Sequence, residues 1–458
     1  MNHPINDLFP GFTELTPEEK IRQVEQATSA ARVHPSGIML CMPKVAPEGL
    51  RSVNTTDLEG MDEFTNNFGH QMKSPTDFFT NENSITVSGS HLAAQSIRFK
   101  ASGEAEAIAA ARVAYRSLRI IYNFGVEAGQ RGYMGKPFHF EYSAHTTGDQ
   151  YLHTLWGLWS FLPIASADEQ TEIHEMLISM ADYQISVDYC IANRSTGGWN
   201  MREDPSDYNA IMAAMVAAAY KLTGEQKYRD AYDHVMLTGK WMTHRRLDYI
   251  IEQFRDGSYK AEPWDKIAGA KVEEGEFAHW EQIQHCQFTA ISASIIHECV
   301  PDIFKADDLS RVLELWWADH PVGFDQEKWG YLYWFMVSSK DRSWRHAAHT
   351  ERLPREEWFG GSPLLSFSSS WIYGDCLARF MWTALVVARH CPQKRDEAAK
   401  FAGETFRRLE PRHLLWIADP DGEQIPPELK YFTEFLSSEV PECLIASYWE
   451  GRQLKLWS

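Results

Sequence analysis

The chain has 458 residues, 44% of them hydrophobic and 23% charged, which excludes a disordered, collagen-like or low-complexity polypeptide. Its 63 acidic residues outweigh its 44 basic ones, for a net charge of −19, which argues against a general nucleic-acid binder. No apolar run reaches the length of about 18 residues that a membrane span needs, and the N-terminus lacks the basic and apolar segments of a signal peptide. A cytoplasmic protein is therefore expected, with no membrane and no nucleic-acid partner. The seven cysteines are dispersed and form no C-x-x-C pair, so reduced thiols are expected rather than a disulfide frame.

Helical periodicity dominates the pattern in chain order. Helices are predicted over Glu104–Gly125, Asp149–Phe161, Glu169–Ala192, Asp207–Leu222 and Glu225–Met242. Further ones are predicted over Glu281–Glu298, Asp307–Ala318, Gln326–Val337, Trp371–His390 and Arg395–Leu409. The best strand candidates are short, Gly37–Met42 and Ile85–Val87. Residues 1–84 read as a lead-in with one charged helix, Pro17–Arg32.

An internal repeat organises these helices. Phe99-Lys-Ala-Ser-Gly-Glu104 resembles Tyr220-Lys-Leu-Thr-Gly-Glu225, each ending an apolar helix on a glycine and opening a more polar one. Cruder versions follow Pro163, Cys299 and Cys391, and a sixth hairpin is expected around Trp329–Ser339. Six hairpins, each with one apolar and one amphipathic helix, predict an all-α (α/α)6 toroid over residues 85–410. The lead-in 1–84 and a C-terminal extension 411–458 would pack on it. An open helical array is the alternative.

In such a ring the inner helices start at the face opposite the hairpin turns. The unusual polar residues gather just before those starts. They include Asn81-Glu82-Asn83, His145 to Tyr151 with His153, Gly198 to Tyr208, His279-Trp280-Glu281 with His285, Lys328-Trp329, and Ser368–Trp371 with Asp375. Helix N-termini favour carboxylates and anionic ligands. Asp149 and Asp207, 58 positions apart (207 − 149 = 58), stand at consecutive inner-helix starts. They could divide acid and base roles, or simply cap their helices. His145 joins them as a catalytic candidate. Gln150, Tyr151, His153, Trp199, Arg202, Tyr208, Trp280 and His285 are the candidate sugar-binding set. Arg202 could grip a substrate carboxylate, or pair with Glu203 or Asp204 on the surface. The histidine spacings give little metal signal, since His279 and His285 are six apart and only His346 and His349 sit at i, i+3. No metal or cofactor is expected.

The segment from Asn81 to about Lys240 resembles (α/α)6-barrel enzymes of the six-hairpin glycosidase-like group. The resemblance rests on Glu82-Asn83, Phe99-Lys-Ala-Ser-Gly-Glu104, Gly148-Asp149-Gln150-Tyr151 and Tyr220-Lys-Leu-Thr-Gly-Glu225. Within that group it looks most like unsaturated glucuronyl hydrolases and related uronic-acid-acting enzymes. The resemblance implies an exo-acting hydrolase of acidic oligosaccharides, with Asp149 and Asp207 as its catalytic pair. Two other chemistries on the same ring stay open. One is a lyase using His145, His153, Tyr151, Tyr208 or His285, and the other is a sugar epimerase using paired histidines. The oligomeric state is open, a homo-oligomer included.

Overall fold

Two glycine turns fix the hairpin geometry. Gly103 and Gly224 adopt left-handed backbone (φ 71° and 69°), and their amides donate to the carbonyls of Phe99 and Tyr220, each at 2.8 Å. Only glycine takes that conformation without steric cost, so both inner helices stop there and the chain doubles back. The computed structural model describes residues 3–58, 74, 76–191, 199–203, 207–259, 272–278, 280–318, 335–346, 373–416 and 434–457.

Six inner helices form the ring: α2 (Ser84–Ser102), α4 (Gly148–Phe161), α6 (Asp207–Thr223), α8 (Trp280–Cys299), α10 (Tyr373–His390) and α12 (Val440–Gln453). Each packs on the next, and α12 packs back on α2, so the ring is closed. Outside lie α1 (Pro17–Ala31), α3 (Ala105–Glu127), α5 (Ala167–Ser186), α7 (Gln226–Met236), α9 (Ala306–Trp317) and α11 (Arg395–Arg408). The fold is thus an (α/α)6 toroid. Among the described residues no helix is long and apolar enough to cross a membrane.

Inner and outer helices differ as their sequences require. In α2 every residue from Ser84 to Ile97 is buried, and in α12 every residue from Val440 to Gly451. A helix walled in on all sides needs apolar or small residues all round. In α3 the buried set is Ala107, Ala111, Ala114, Tyr115, Ser117, Leu118, Ile121, Tyr122 and Gly125, a stripe at helical spacing. The repeat survives in side-chain bonds between α3 and α5. Arg112 donates to Glu169, Tyr115 donates to Glu172, and the hydroxyls of Tyr122 and Ser179 share a bond, each pair 57 residues apart.

The sixth pair differs from the expectation. It is α12 with α1, joined from the two ends of the chain. The ring therefore takes in helices that the sequence reading assigns to lead-in and extension. Buried Arg32, just after α1, locks this closure. Its guanidinium donates to the carbonyls of Ser438 (2.8 Å) and Ser437 (2.7 Å) and lies 3.3 Å from Glu442. The segment expected to supply the sixth hairpin contributes β6 (Phe335–Ser338) instead, and residues 319–334 lie outside the described residues. The Gln326–Val337 helix is corrected accordingly over its last three residues.

Among the described residues strands are few and local. β1 (Lys44–Ala46) pairs with β2 (Gly49–Arg51), and β3 (Cys190–Ile191) with β4 (Trp199–Asn200). β6 pairs with both β5 (Glu276–Ala278) and β7 (Trp344–His346). Both strands predicted from sequence are corrected. Ile85–Val87 is the first turn of α2, where burial in the ring overrides β-branched preference. In Gly37–Met42 only Met39 makes a bridge, to Val33.

Candidate functional site

The starts of the inner helices bring four side chains around one ring. Phe288, nine residues into α8, is fully buried. His285 meets it edge-on at 5.9 Å and Tyr208 at 6.2 Å. His153 approaches at 5.8 Å, and the Arg379 guanidinium lies 5.3 Å from the ring centre. These residues come from α4, α6, α8 and α10, so the cluster draws on four of the six inner helices.

Asp207 is the first residue of α6 and is wholly buried. Its carboxylate is in direct contact with Nδ1 of His285. A carboxylate acceptor at Nδ1 fixes the proton there and puts the basic lone pair on Nε2. Tyr208 flanks the imidazole, with ring centres 5.8 Å apart. This is a carboxylate–histidine dyad, suited to moving one proton to and fro.

A second carboxylate–histidine contact serves a different end. Nδ1 of His153 donates to the Asp149 carbonyl at 2.8 Å, and its Nε2 lies 3.3 Å from Glu439. Arg379 donates to the other Glu439 oxygen at 2.7 Å. Burial pushes the Glu439 carboxyl up, but the Arg379 charge and His153 beside it outweigh this and hold it below the ordinary glutamate range. Both His153 nitrogens face oxygens and the ring is fully buried, so His153 orients the cluster.

The two aspartates expected as a pair stand at neighbouring inner-helix starts with different partners. Gly148 packs on Tyr208, where an added Cβ would meet the ring at 2.4 Å, so the starts of α4 and α6 touch. Asp149 is half-buried, and its carboxylate accepts from Thr147 and, at 2.9 Å, from Gln150. Asp207 is instead bound up with His285.

Other candidates lie elsewhere. Tyr151 is fully buried, its oxygen accepts from the Met134 amide at 3.3 Å, and burial pushes its phenol far above the tyrosine range. It packs in the hydrophobic core. His145 is tilted against Phe138, ring centres 6.1 Å apart, in the loop before α4. Arg202 donates to Glu203 at 3.0 Å and faces Asp188 at 3.7 Å, so its guanidinium is engaged by surface acids rather than held for a substrate carboxylate. Trp199 lies in β4 and Trp280 opens α8, but their side chains, and Asp204, His279, Lys328, Trp329, His349 and Ser368–Trp371, lie outside the described residues. The side chain of Asp375, in α10, does too. Among the described residues no group of three or more His, Cys, Asp or Glu side chains could hold a metal ion.

Sequence reasoning missed Phe288, Arg379 and Glu439. Two of these carried a signal. Arg379 is a lone charge in the apolar run Cys376 to Val387, and Glu439 stands just before Val440-Pro441, a helix-opening pattern.

Comparison with protein-family models and with curated sequences returns no match. Among solved structures the chain is similar to a D-mannose isomerase, with TM-score 0.50 and 11% identity over 98% of this chain and 100% of that one. It is also similar to a sugar epimerase from a ruminal bacterium (0.49, 11%, covering 96% and 99%). An unsaturated glucuronyl hydrolase specific for heparin is comparable (0.49, 12%, covering 98% of each). At these identities the kinship is one of architecture. In fold the chain matches the toroid of the isomerase.

Proposed function

We propose that this chain is a carbohydrate-active enzyme that isomerises a neutral aldose to its ketose by proton transfer at the Asp207–His285 dyad. The observation that carries this reading is the buried contact between the Asp207 carboxylate and Nδ1 of His285. Nε2 would take the proton from C2 of the open-chain sugar. The C–H electron pair forms the C1–C2 double bond, and the carbonyl electrons move to O1, where a proton is taken up. The imidazolium then returns a proton to C1 on the same face, the O2 proton leaves, and a C2 carbonyl results. Asp207 stabilises the imidazolium between the two transfers.

One base on one face suffices for this isomerisation. Epimerisation at C2 needs a proton donor on each face. His153 is poorly placed as the second, because both of its nitrogens already face oxygens. The engagement of Arg202 with Glu203 and Asp188 also weakens the case for a uronate substrate. The fold shared with a D-mannose isomerase is compatible with the isomerase reading.

Asp149 favours a second reading. Its half-buried carboxylate, one helix away from Asp207, would suit the uronyl hydrolase that the sequence resembles. The deciding experiment incubates the protein with D-mannose, D-glucose and D-galactose, and in parallel with saturated and unsaturated uronyl disaccharides. Ketose from an aldose supports the isomerase. Monosaccharide release from a disaccharide, with no ketose, replaces it by the hydrolase.

A further inference from the structure

The hairpin turns lie at the C-terminal ends of the inner helices. A cavity of about 300 Å³ opens there between the C-terminal halves of α2, α4, α8, α10 and α12. Trp156 and Trp382, with ring centres 4.9 Å apart, line its inner part. Trp156 also meets His153 at 6.2 Å, so these two indoles stand between the cavity and the Phe288 cluster. The volume lies at the small end of the usual range for ligand pockets, about 300–1,000 Å³.

The wall is built from side chains that hold each other in place. The half-buried Trp159 indole donates to Glu298 at 2.8 Å. Glu450, only 2% exposed, is paired with Arg389. Gln453 donates to the Ile97 carbonyl at 2.9 Å. Two acids, Glu298 and Glu450, face two bases, Lys100 and Arg389, so the charged lining balances. His390 adds no charge near neutral pH, since burial and the neighbouring Arg389 push its pKa down to about 4.

We infer that this cavity is a second binding site, distinct from the Asp207–His285 centre, for a neutral monosaccharide. The half-buried Trp159 indole offers a flat apolar surface for the C–H face of a pyranose, backed by the largely buried Trp156 and Trp382. The carboxylates and guanidinium at the edge offer paired acceptors and donors for its hydroxyls. Balanced charge disfavours an anionic or cationic ligand. The site opens on the face opposite the catalytic cluster, so its occupant would report sugar level without competing for the dyad.

The test reads binding alone, so its outcome is independent of the proposed activity. In a His285→Ala background, D-glucose and D-mannose are titrated calorimetrically, and crystals are soaked in each sugar. Sugar density in the Trp159 cavity is expected. Binding there should weaken at least about 10-fold in Trp159→Ala and less in Trp159→Phe, which keeps a stacking ring. Glu450→Gln should weaken it while retaining the fold. The inference is overturned if neither sugar occupies the cavity, or if Trp159→Ala and Glu450→Gln bind as tightly as the His285→Ala parent.

Discussion

Asp207, the first residue of α6, and His285, in the second turn of α8, meet side chain to side chain in a buried site. The closed ring makes that meeting possible, because α6 and α8 start at the same face. Replacing Asp207 by Asn keeps its shape but removes the charge that stabilises a protonated His285. Turnover should fall by about 10²–10⁴-fold, with far-ultraviolet circular dichroism unchanged. Near-normal kcat in Asp207→Asn would remove the dyad from the chemistry.

Asp149 separates the two functional readings. Its carboxylate is held by Thr147 and Gln150 and makes no described contact with His285. Under the isomerase account Asp149→Asn should cost less than about 10-fold in kcat, below the usual loss for a general acid or base. A loss as large as that of Asp207→Asn would instead favour two-carboxylate hydrolysis.

Acid should weaken the fold through two buried groups. Glu439 has its folded pKa depressed, so its stabilisation is present above the unfolded glutamate value and is lost as pH falls through the folded one. Buried His413 has its pKa pushed down to about 3 from 6.5, chiefly by burial. The unfolded chain therefore binds a proton there that the folded chain refuses, and stability drops as pH falls below 6.5 towards 3. In Glu439→Gln the buried Arg379 loses its partner, at a cost of about 3–5 kcal/mol at neutral pH. Melting curves should show the Tm gap between wild type and Glu439→Gln narrowing below the ordinary glutamate pKa. In His413→Gln the slope of Tm against pH between 6.5 and 3 should be shallower. Parallel curves for wild type and both variants would contradict this assignment.

Ring closure should depend on Arg32. Its guanidinium is wholly buried, bonded to Ser437 and Ser438 and close to Glu442. Arg32→Ala leaves Glu442 and two carbonyls short of a partner, which should cost about 3–5 kcal/mol. Chemical denaturation would measure it. A loss under about 1 kcal/mol, the worth of a surface pair, would mean that α1 is an accessory to the ring.

Much of the ring was legible because its signals are local. Gly103 and Gly224 announce the turns, and the stripe of α3 announces an outer helix. The Ser166–Glu169 capping box marks the start of α5, where the sequence reading begins its helix at Glu169. The sixth pair was hidden because α1 and α12 are partners only through long-range contact, and no local period records that. Asp207, Tyr208, His153 and His285 were singled out from their places near helix starts, and the structure brings them together. The roles were not, since nothing local says that Asp207 spends its carboxylate on His285 or that Arg202 turns to Glu203. Glu439 and Arg379 were missed for the same reason. Their importance arises from a contact between segments 60 residues apart.

The most direct test of the account follows the proton. An aldose that the enzyme converts is incubated in D₂O, and the product is read by nuclear magnetic resonance. Proton transfer through His285 predicts deuterium at C1 of the ketose, up to one atom per molecule, and its loss in Asp207→Asn. Ketose free of deuterium, or no ketose from any aldose, would contradict catalysis by the Asp207–His285 dyad.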